Sequence, residues 1–199
     1  MLFRSAYYAR FGITTVQDGA SYPAMVDGLR AVAEKAPLAL DVAAYLREDS
    51  PKGGSPGPAA ATIDPSAIGY SRDYRNGVRV AGVKFVLDGS LQGRTAWMTE
   101  PYQERPPGTP ADYRAYPTID PDFYRERAAE LLRAGIPFIA HANGDAAIDL
   151  MIEGVAKGLE SVRAEGKPVP DHRSVAIHAQ LARPDQLDQM KALGIIPSF

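Results

Sequence analysis

The chain has 199 residues, with 22 lysines and arginines against 24 aspartates and glutamates, which gives a formal net charge of −2 at pH 7. This length fits one globular domain or a large part of one, and the nearly balanced charge offers no broad basic surface for nucleic acid. No apolar run reaches the ~18 residues that cross a bilayer. Cysteine is absent, which excludes disulfides, thiolate zinc sites and cysteine nucleophiles. Together these features favour a cytoplasmic protein that binds neither nucleic acid nor membrane.

Six strands are predicted, three of them directly after a glycine. The segments ARFGITTV, LRAGIPFI and KALGIIPS each place a glycine before an isoleucine-led apolar run. We expect Gly12, Gly135 and Gly194 to end helices in the left-handed conformation and to lead straight into buried strands. Three further apolar runs lie at residues 38–46, 80–87 and 174–179. Runs that are apolar on both alternations are typical of parallel strands covered on both faces.

Amphipathic helices separate these strands. Apolar side chains recur at helical spacing in three places: Met25, Leu29, Val32 and Ala33; Tyr124, Ala128, Leu131 and Leu132; and Ile148, Met151, Ile152 and Val155. Asp120 followed by Pro121 is a good helix start, and Pro184 is expected to open the last helix. The alternation of helix and strand indicates an α/β fold with a parallel sheet.

The pattern fits a (β/α)8 barrel of the TIM type that is two strands short of closure. Such a barrel typically needs ~250 residues, and this chain has 199. We therefore expect one partial barrel domain over residues 1–199, with about six parallel strands. Two proline-rich stretches, residues 50–62 and 99–118, interrupt the alternation. Because each follows a strand, both are predicted to be long loops on the carboxyl-terminal face, where such loops form the walls of sites.

Two of the three histidines end predicted strands. His141 follows the run IPFIA, and His178 ends the run SVAI one helix-plus-strand unit later. The carboxyl ends of parallel strands carry the sites of α/β proteins, and two imidazoles at one edge can share a metal ion. The alternative is a pair of hydrogen-bonded histidines at the barrel rim. His172 precedes its strand in a polar segment and is expected to be a solvated loop residue on the opposite face.

Lys84 lies inside the apolar run VAGVKFVL, where an ammonium group is costly unless it is paired or altered. A buried lysine loses its proton readily. As a neutral amine it can form a Schiff base with a carbonyl compound, or take up CO2 to form a carbamate whose oxygens bridge metals. A third possibility is a structural ion pair, for example with Asp41. The residue alone does not separate these three interpretations.

The segment after Lys84 supplies candidate substrate contacts. Asp88 closes the strand in a DGS turn, and Arg94 and Trp97 follow in the next loop. A carboxylate, a guanidinium and an indole at the site edge can hold a polar substrate that has an apolar end. The alternative is that Asp88 and Arg94 only brace the loop. Asp145, at a helix start, is explained by capping. No phosphate-binding glycine loop and no nucleophile elbow is present.

Four segments resemble, in order, the motifs of amidohydrolase family 3, the branch of the metal-dependent amidohydrolase superfamily that includes N-substituted formamide deformylase. The segments are GITTVQDG at 12–19, VKFVLDGSLQGRTAWMTEPY at 83–102, HANGD at 141–145 and IHAQ at 177–180. The most specific features are two spacings. In the second segment three residues separate the lysine from DGS and three more separate DGS from RTA; in the third segment two residues separate the histidine from GD. The resemblance covers nearly the whole chain and is least clear at residues 50–61.

This resemblance implies a distorted (β/α)8 barrel with one or two divalent metal ions, usually zinc, at the carboxyl ends of its strands. By position, Lys84 resembles the lysine whose carbamate bridges the metals, His141 the fifth-strand ligand and His178 the sixth-strand ligand. A water whose pKa the metal lowers would attack an amide or formamide carbonyl. The implied activity is therefore hydrolysis of a non-peptide carbon–nitrogen bond in a small-molecule substrate.

The chain also departs from the family pattern. The family begins its metal site with an HxH pair on the first strand and ends it with an aspartate on the eighth, and the sequence contains neither. The chain therefore corresponds to strands two to seven, and we assign no catalytic acid or base. Its site is expected to be incomplete. Two alternatives stay open: a lyase that uses Lys84 as a Schiff base, and an inactive remnant that self-associates through exposed barrel edges.

Overall fold

The computed structural model describes residues 2–50 and 62–199, with side chains from residue 5 onward, so most of the predicted loop at 50–62 lies outside the described residues. The six predicted strands are confirmed, and each is parallel to its neighbours in a single sheet that follows chain order. The strands are β1 Thr15–Ser21, β2 Asp41–Arg47, β3 Val78–Val86, β4 Phe138–Ala142, β5 Val175–His178 and β6 Ile196–Ser198.

Within the described residues, α1 Leu2–Ala9 precedes β1, and four α-helices connect strands: α2 Pro23–Lys35, α3 Pro121–Arg133, α4 Asp145–Ala164 and α5 Pro184–Leu193. Asp120 caps α3 by accepting hydrogen bonds from two backbone N–H groups of the first turn, and Pro184 opens α5, as predicted. The predicted left-handed glycines are confirmed as well, with φ of 76° at Gly12, 68° at Gly135 and 75° at Gly194. No helix among the described residues is both long and apolar enough to cross a membrane.

The sheet curls into a half-barrel, with the helices on its outer side. A Cβ atom on Gly19 in β1 would lie 3.9 Å from the side chain of Ile139 in β4, so these strands face each other across the interior. The pairing register shifts once between β1 and β2 and once between β2 and β3. Such irregularities bend strands and increase their twist.

An aromatic cluster fills the space between the sheet and α3. The rings of Phe85, Phe138 and Tyr124 pack edge to face, with centroids 5.1 to 6.3 Å apart, and all three side chains are fully buried. Two glycines of α4 allow the close approach of α3. A Cβ atom on Gly154 would lie 2.6 Å from the Tyr124 ring, and one on Gly158 would overlap Leu132. The predicted apolar faces of α3 and α4 are confirmed as buried.

The predicted apolar face of α2 is partly wrong. Leu29 and Ala33 are buried, together with Val26, but Met25 and Val32 are 43% and 41% exposed. These two side chains line an open groove of about 780 Å³ between α1, α2 and β1. Because α2 packs at the edge of the half-barrel, only the narrow stripe of the helix that contacts the sheet is buried.

A buried ion pair ties the end of β2 to α3, and sequence analysis did not identify it. Arg127 in α3 donates from Nε and Nη2 to the two carboxylate oxygens of Glu48, both at 2.7 Å. The side chains are 3% and 0% exposed. Arg127 also donates to Ile63 O and to Glu130. The guanidinium therefore links Glu48 and Ile63 to α3.

Removing one partner of this pair should be costly. Arg127→Met leaves the Glu48 carboxylate buried without its counterion, and we expect it to lower the free energy of unfolding by about 3–5 kcal/mol. Arg125→Met on the same helix removes two ion pairs, with Asp122 and Glu153, whose arginine is 31% exposed, and should cost about 1 kcal/mol or less. Urea unfolding of both variants measures the difference, and equal losses would contradict the buried pair.

Candidate metal centre

Lys84 and His141 point from neighbouring strands into the half-barrel. In β3, Val83 and Phe85 lie in the core beneath the helices, so the residue between them faces the interior. Lys84 is only 8% exposed. His141 pairs with Val86, two residues beyond Lys84 along β3. The Cα atoms of Lys84 and His141 are therefore offset by roughly 7 Å along the strand direction.

The backbone at His178 adopts an unfavourable left-handed conformation that brings its ring close to His141. Both His178 and Ala179 have positive φ, 74° and 42°, which residues other than glycine rarely adopt. Simple alternation along β5 would send His178 to the side of the core residue Ala176. Instead its ring lies 4.7 Å from the His141 ring, centroid to centroid, with the planes at 79°. Strained backbone of this kind clusters at functional sites.

The hydrogen bonds of His141 decide which of its nitrogens is available. Its Nε2 donates to the carbonyl oxygen of Gly89 at 2.7 Å, because a carbonyl can only accept. Asn143 donates to the same oxygen at 2.8 Å. In the neutral ring Nδ1 therefore keeps its lone pair. Metal-binding histidines are commonly oriented in this way, through the other ring N–H and a backbone carbonyl.

Asp88 ties three segments together beside His141. Its carboxylate is buried and accepts hydrogen bonds from the backbone N–H groups of Trp97, Asn143 and Gly144, at 3.0, 3.0 and 2.7 Å. One of its oxygens lies 3.5 Å from Nε2 of His141. These contacts match the bracing role that the sequence left open for Asp88, and its contact with a substrate stays a prediction.

Burial shifts the pKa values of the groups at this edge. It lowers the pKa of both histidines, and the charge of Lys84 lowers each of them further. Burial and, to a smaller extent, Arg47 lower the pKa of Lys84 to about 8. Burial raises the pKa of Asp88 to about 6, although the hydrogen bonds from its three backbone N–H donors lower it. At neutral pH the imidazoles are therefore uncharged, which is the form that binds metal ions.

Within the described part of the chain Lys84 forms no ion pair with a carboxylate, and besides burial it is the charge of Arg47 that acts on its amine. The proposed ion pair with Asp41 is wrong, because the two residues lie at opposite ends of their strands. Asp41 begins β2 and pairs with Thr15, whereas Lys84 pairs with Arg47 at the end of β2. The neighbouring guanidinium favours the neutral amine.

The histidine pair opens onto a cavity of about 470 Å³ at the carboxyl-terminal edge. Its lining residues are Ser90, Gln92, His141, Asn143, His178, Gln180 and Phe199. The predicted substrate contacts Arg94 and Trp97 are not among them. Arg94 pairs with Glu104 at 2.6 Å near the surface, and Trp97 packs against the core. The two glutamines Gln92 and Gln180 lie within the segments that resemble the family motifs, but no role was assigned to either from the sequence.

The predicted loop at 99–118 is anchored beside this cavity by Asp145. The Asp145 carboxylate accepts from the backbone N–H and the hydroxyl of Thr99 and pairs with Arg183 at 3.1 Å. Asp145 lies at the helix start, as expected, but Gly144 and not Asp145 is the N-cap of α4. The Asp145 carboxylate still accepts from the N–H of Ala146 in the first turn, at 3.0 Å. Arg183 also pairs with Asp149 at 2.9 Å, a network that sequence analysis did not identify.

His172 is a structural residue of the opposite face. It precedes β5, as expected, but the prediction that it is solvated is wrong, since it is 5% exposed. Its Nδ1 accepts from the N–H of Ser174 at 3.1 Å, and its Nε2 donates to Leu193 O at 2.8 Å. The ring thereby satisfies a carbonyl at the end of α5, which explains its burial.

The donors at this edge fit a divalent metal as part of a ligand set. Zinc takes four ligands in structural sites, and three protein ligands plus water in catalytic ones. Nδ1 of His141 and a ring nitrogen of His178 would supply two ligands, and a carbamate on the unpaired Lys84 a third. No group of three or more histidine, aspartate and glutamate side chains surrounds a single point in residues 2–50 and 62–199. The three candidate ligands, Lys84, His141 and His178, include no aspartate or glutamate.

Comparison with known proteins gives a family match. The amidohydrolase family profile matches residues 4–199. No curated protein matches the chain.

Several solved structures share the fold, three of which illustrate it. Two are described as uncharacterized metal-dependent hydrolases, from Pyrococcus horikoshii OT3 and Pyrococcus furiosus; both are 21% identical, with TM-scores of 0.66 and 0.67. They match 97% of this chain, which spans 34% and 35% of their lengths. A Xaa-Pro dipeptidase with bound methionine in its active site is 14% identical, with a TM-score of 0.52, over 92% of this chain and 41% of that one.

The low pKa of Lys84 predicts a pH-dependent stability. Between about pH 8 and 10.5 the folded amine is neutral while the unfolded chain still binds the proton, so the free energy of unfolding should rise with pH. Lys84→Met should remove a rise of about 2–3 kcal/mol between pH 7.5 and 10. Urea unfolding in metal-free, carbonate-free buffer measures both proteins. Parallel pH profiles for the two would contradict the buried amine.

Proposed function

This chain belongs to the amidohydrolase family, and from that membership we propose that it carries part of the active site of a metal-dependent hydrolase. The reaction is hydrolysis of a non-peptide carbon–nitrogen bond in a small amide or formamide, as in N-substituted formamide deformylase. The observation that carries this proposal is the pair of neutral imidazoles, 4.7 Å apart, above an unpaired buried amine. Because the chain spans about a third of the two Pyrococcus hydrolases, the activity proposed is that of the whole protein.

Three residues would hold the metal, for which we propose zinc. His141 would bind through Nδ1, because its Nε2 is committed to Gly89, and His178 through its partly exposed ring. Lys84 would bind as a carbamate. In that reaction its neutral nitrogen forms a bond to the carbon of CO2 and releases one proton to solvent. A pKa of about 8 leaves a useful neutral fraction near pH 7.

The bound metal would lower the pKa of a water and polarise the substrate carbonyl. The chain's own residues position the reactants. The amide groups of Gln92 and Gln180 at the cavity wall can both donate and accept, which suits the carbonyl and N–H of an amide. Asp88 keeps His141 and the segment 143–144 in register and acts as a positioning residue.

A second candidate function is favoured by the same lysine. A buried amine with a pKa of about 8 and no acidic partner is also suited to attack a carbonyl and form a Schiff base. Borohydride would then trap a carbonyl compound on Lys84, and chelators would not affect the activity. The two adjacent histidines favour the metal-dependent reaction, because a Schiff-base mechanism gives them no required role.

Metal binding tests the ligand assignment. We expect His141→Ala, His178→Ala and Lys84→Ala each to weaken zinc binding by at least ~10-fold, since even the loss of residues that only support ligands costs 10- to 100-fold. His172→Asn is the matched control: it removes the third histidine and lowers stability without changing zinc affinity. Isothermal titration in bicarbonate buffer measures all four variants. Equal affinity of the His141 and His172 variants would contradict the assignment.

Substrate class tests the reaction. We expect the whole zinc-loaded protein to hydrolyse N-alkyl formamides or small N-acyl amines and to leave dipeptides intact. Release of the amine product, measured with and without a chelator, follows the reaction. Cleavage of dipeptides alone would overturn the bond assignment while leaving the metal site in place. Activity that survives chelation together with borohydride trapping would favour the lyase.

A further inference from the structure

A second, basic cavity lies at the other end of the half-barrel. It measures about 230 Å³ and is lined by Tyr45, Tyr70, Arg72, Tyr74, Arg79, Ala81, Pro137, Asp171 and Arg173. Pro137 and Arg173 directly precede β4 and β5, and Arg79 is the second residue of β3. The cavity therefore opens at the amino ends of the strands, away from the histidine pair. None of its residues takes part in the function proposed above.

Arg79 is the central cation of this cavity, and its hydrogen bonds are only partly satisfied. Its guanidinium lies over the Tyr74 ring, 5.1 Å from the centroid, and its Nη1 donates to Ser71 O at 3.3 Å. Its Nε is buried and has no hydrogen-bond partner among the described residues. A buried N–H without an acceptor is uncommon, and the binding of an anion at that position is one standard explanation.

The charges around Arg79 are unbalanced. Asp171 is the only carboxylate of the lining, and it is shared: Arg173 lies 2.8 Å and Arg72 4.0 Å from the same oxygen. Three guanidinium groups thus face one carboxylate. Arg79 itself has no acidic partner within residues 2–50 and 62–199. Guanidinium groups gathered in this way attract oxyanions, which they can bind with paired hydrogen bonds.

Three phenols complete the lining and add neutral donors. Burial raises the pKa of Tyr45, so its hydroxyl stays protonated at neutral pH. Tyr45, Tyr70 and Tyr74 line the same cavity as Arg79. Protonated phenols donate to an anion without adding charge.

The size of the cavity restricts its occupant. A volume of about 230 Å³ is several times the ~30 Å³ that a water occupies in the liquid, yet below the ~300–1,000 Å³ of pockets for drug-sized ligands. We propose that this cavity binds a phosphate group, held by Arg79 and Arg173 and by the surrounding phenols. The group is either free phosphate or the phosphoryl end of a small ligand whose remainder lies in solvent.

Titration of the purified protein with inorganic phosphate, at an ionic strength held constant with chloride, tests this proposal. Calorimetry and the thermal midpoint report binding. Arg79→Gln should weaken phosphate binding by at least ~10-fold, as expected for lost hydrogen bonds to a charged group. Arg173→Gln alters a side chain that is 71% exposed, so it keeps the test valid if the Arg79 variant does not fold, and should weaken binding at least ~3-fold.

Arg75→Gln is the matched control, because it removes an exposed arginine from the segment that holds the lining residues Arg72 and Tyr74, without itself lining the cavity. It should leave phosphate affinity unchanged. A small phosphate monoester, titrated in parallel, distinguishes the two sources: tighter binding than phosphate indicates a phosphorylated ligand, and weaker binding indicates free phosphate. No binding of either compound above the chloride background would overturn the proposal. Equal losses in the Arg75 and Arg79 variants would overturn it too.

Discussion

Three chain segments meet at the Asp88 carboxylate, and the geometry of the candidate site depends on that contact. Asp88 lies two residues after the end of β3. Its carboxylate oxygens accept hydrogen bonds from the N–H groups of Trp97 in the following loop and of Asn143 and Gly144 after β4. Gly144 is required here, because a Cβ at that position would overlap the backbone of Trp97. A buried carboxylate keeps its charge only when such donors compensate it. Since His141 is two residues before Asn143, the same bonds set the height of its ring at the edge of the sheet.

The order of the strands follows from local signals in the sequence. Gly12, Gly135 and Gly194 need the left-handed conformation, and a helix that ends there must turn into the next strand. The placement of Lys84 and His141 on one inner face follows from alternation along parallel strands in register. These features are predictable because they depend on a few neighbouring residues and on a period of two.

Other features depend on contacts between distant residues and could not be predicted. The Glu48–Arg127 pair joins residues 79 positions apart, and neither sequence neighbourhood suggests a partner. The left-handed φ of His178 contradicts the usual preference of a non-glycine residue, and alternation along β5 alone would have turned its ring to the side of Ala176, away from His141. His172 looked polar and exposed because its partner Leu193 O lies at the end of a later helix. The two ends of the half-barrel differ in chemistry: one carries neutral imidazoles, and the other carries arginines that outnumber their carboxylate partner.

The central claim is that His141 and His178 bind the same metal ion. Anomalous diffraction at the zinc absorption edge, from crystals of the whole protein grown with zinc and bicarbonate, tests it most directly. We expect a peak about 2.0–2.1 Å from Nδ1 of His141 and from a ring nitrogen of His178, with continuous density from Nζ of Lys84 toward it. A zinc peak bound elsewhere, with the His141 ring still 2.7 Å from Gly89 O and its Nδ1 unliganded, would contradict it.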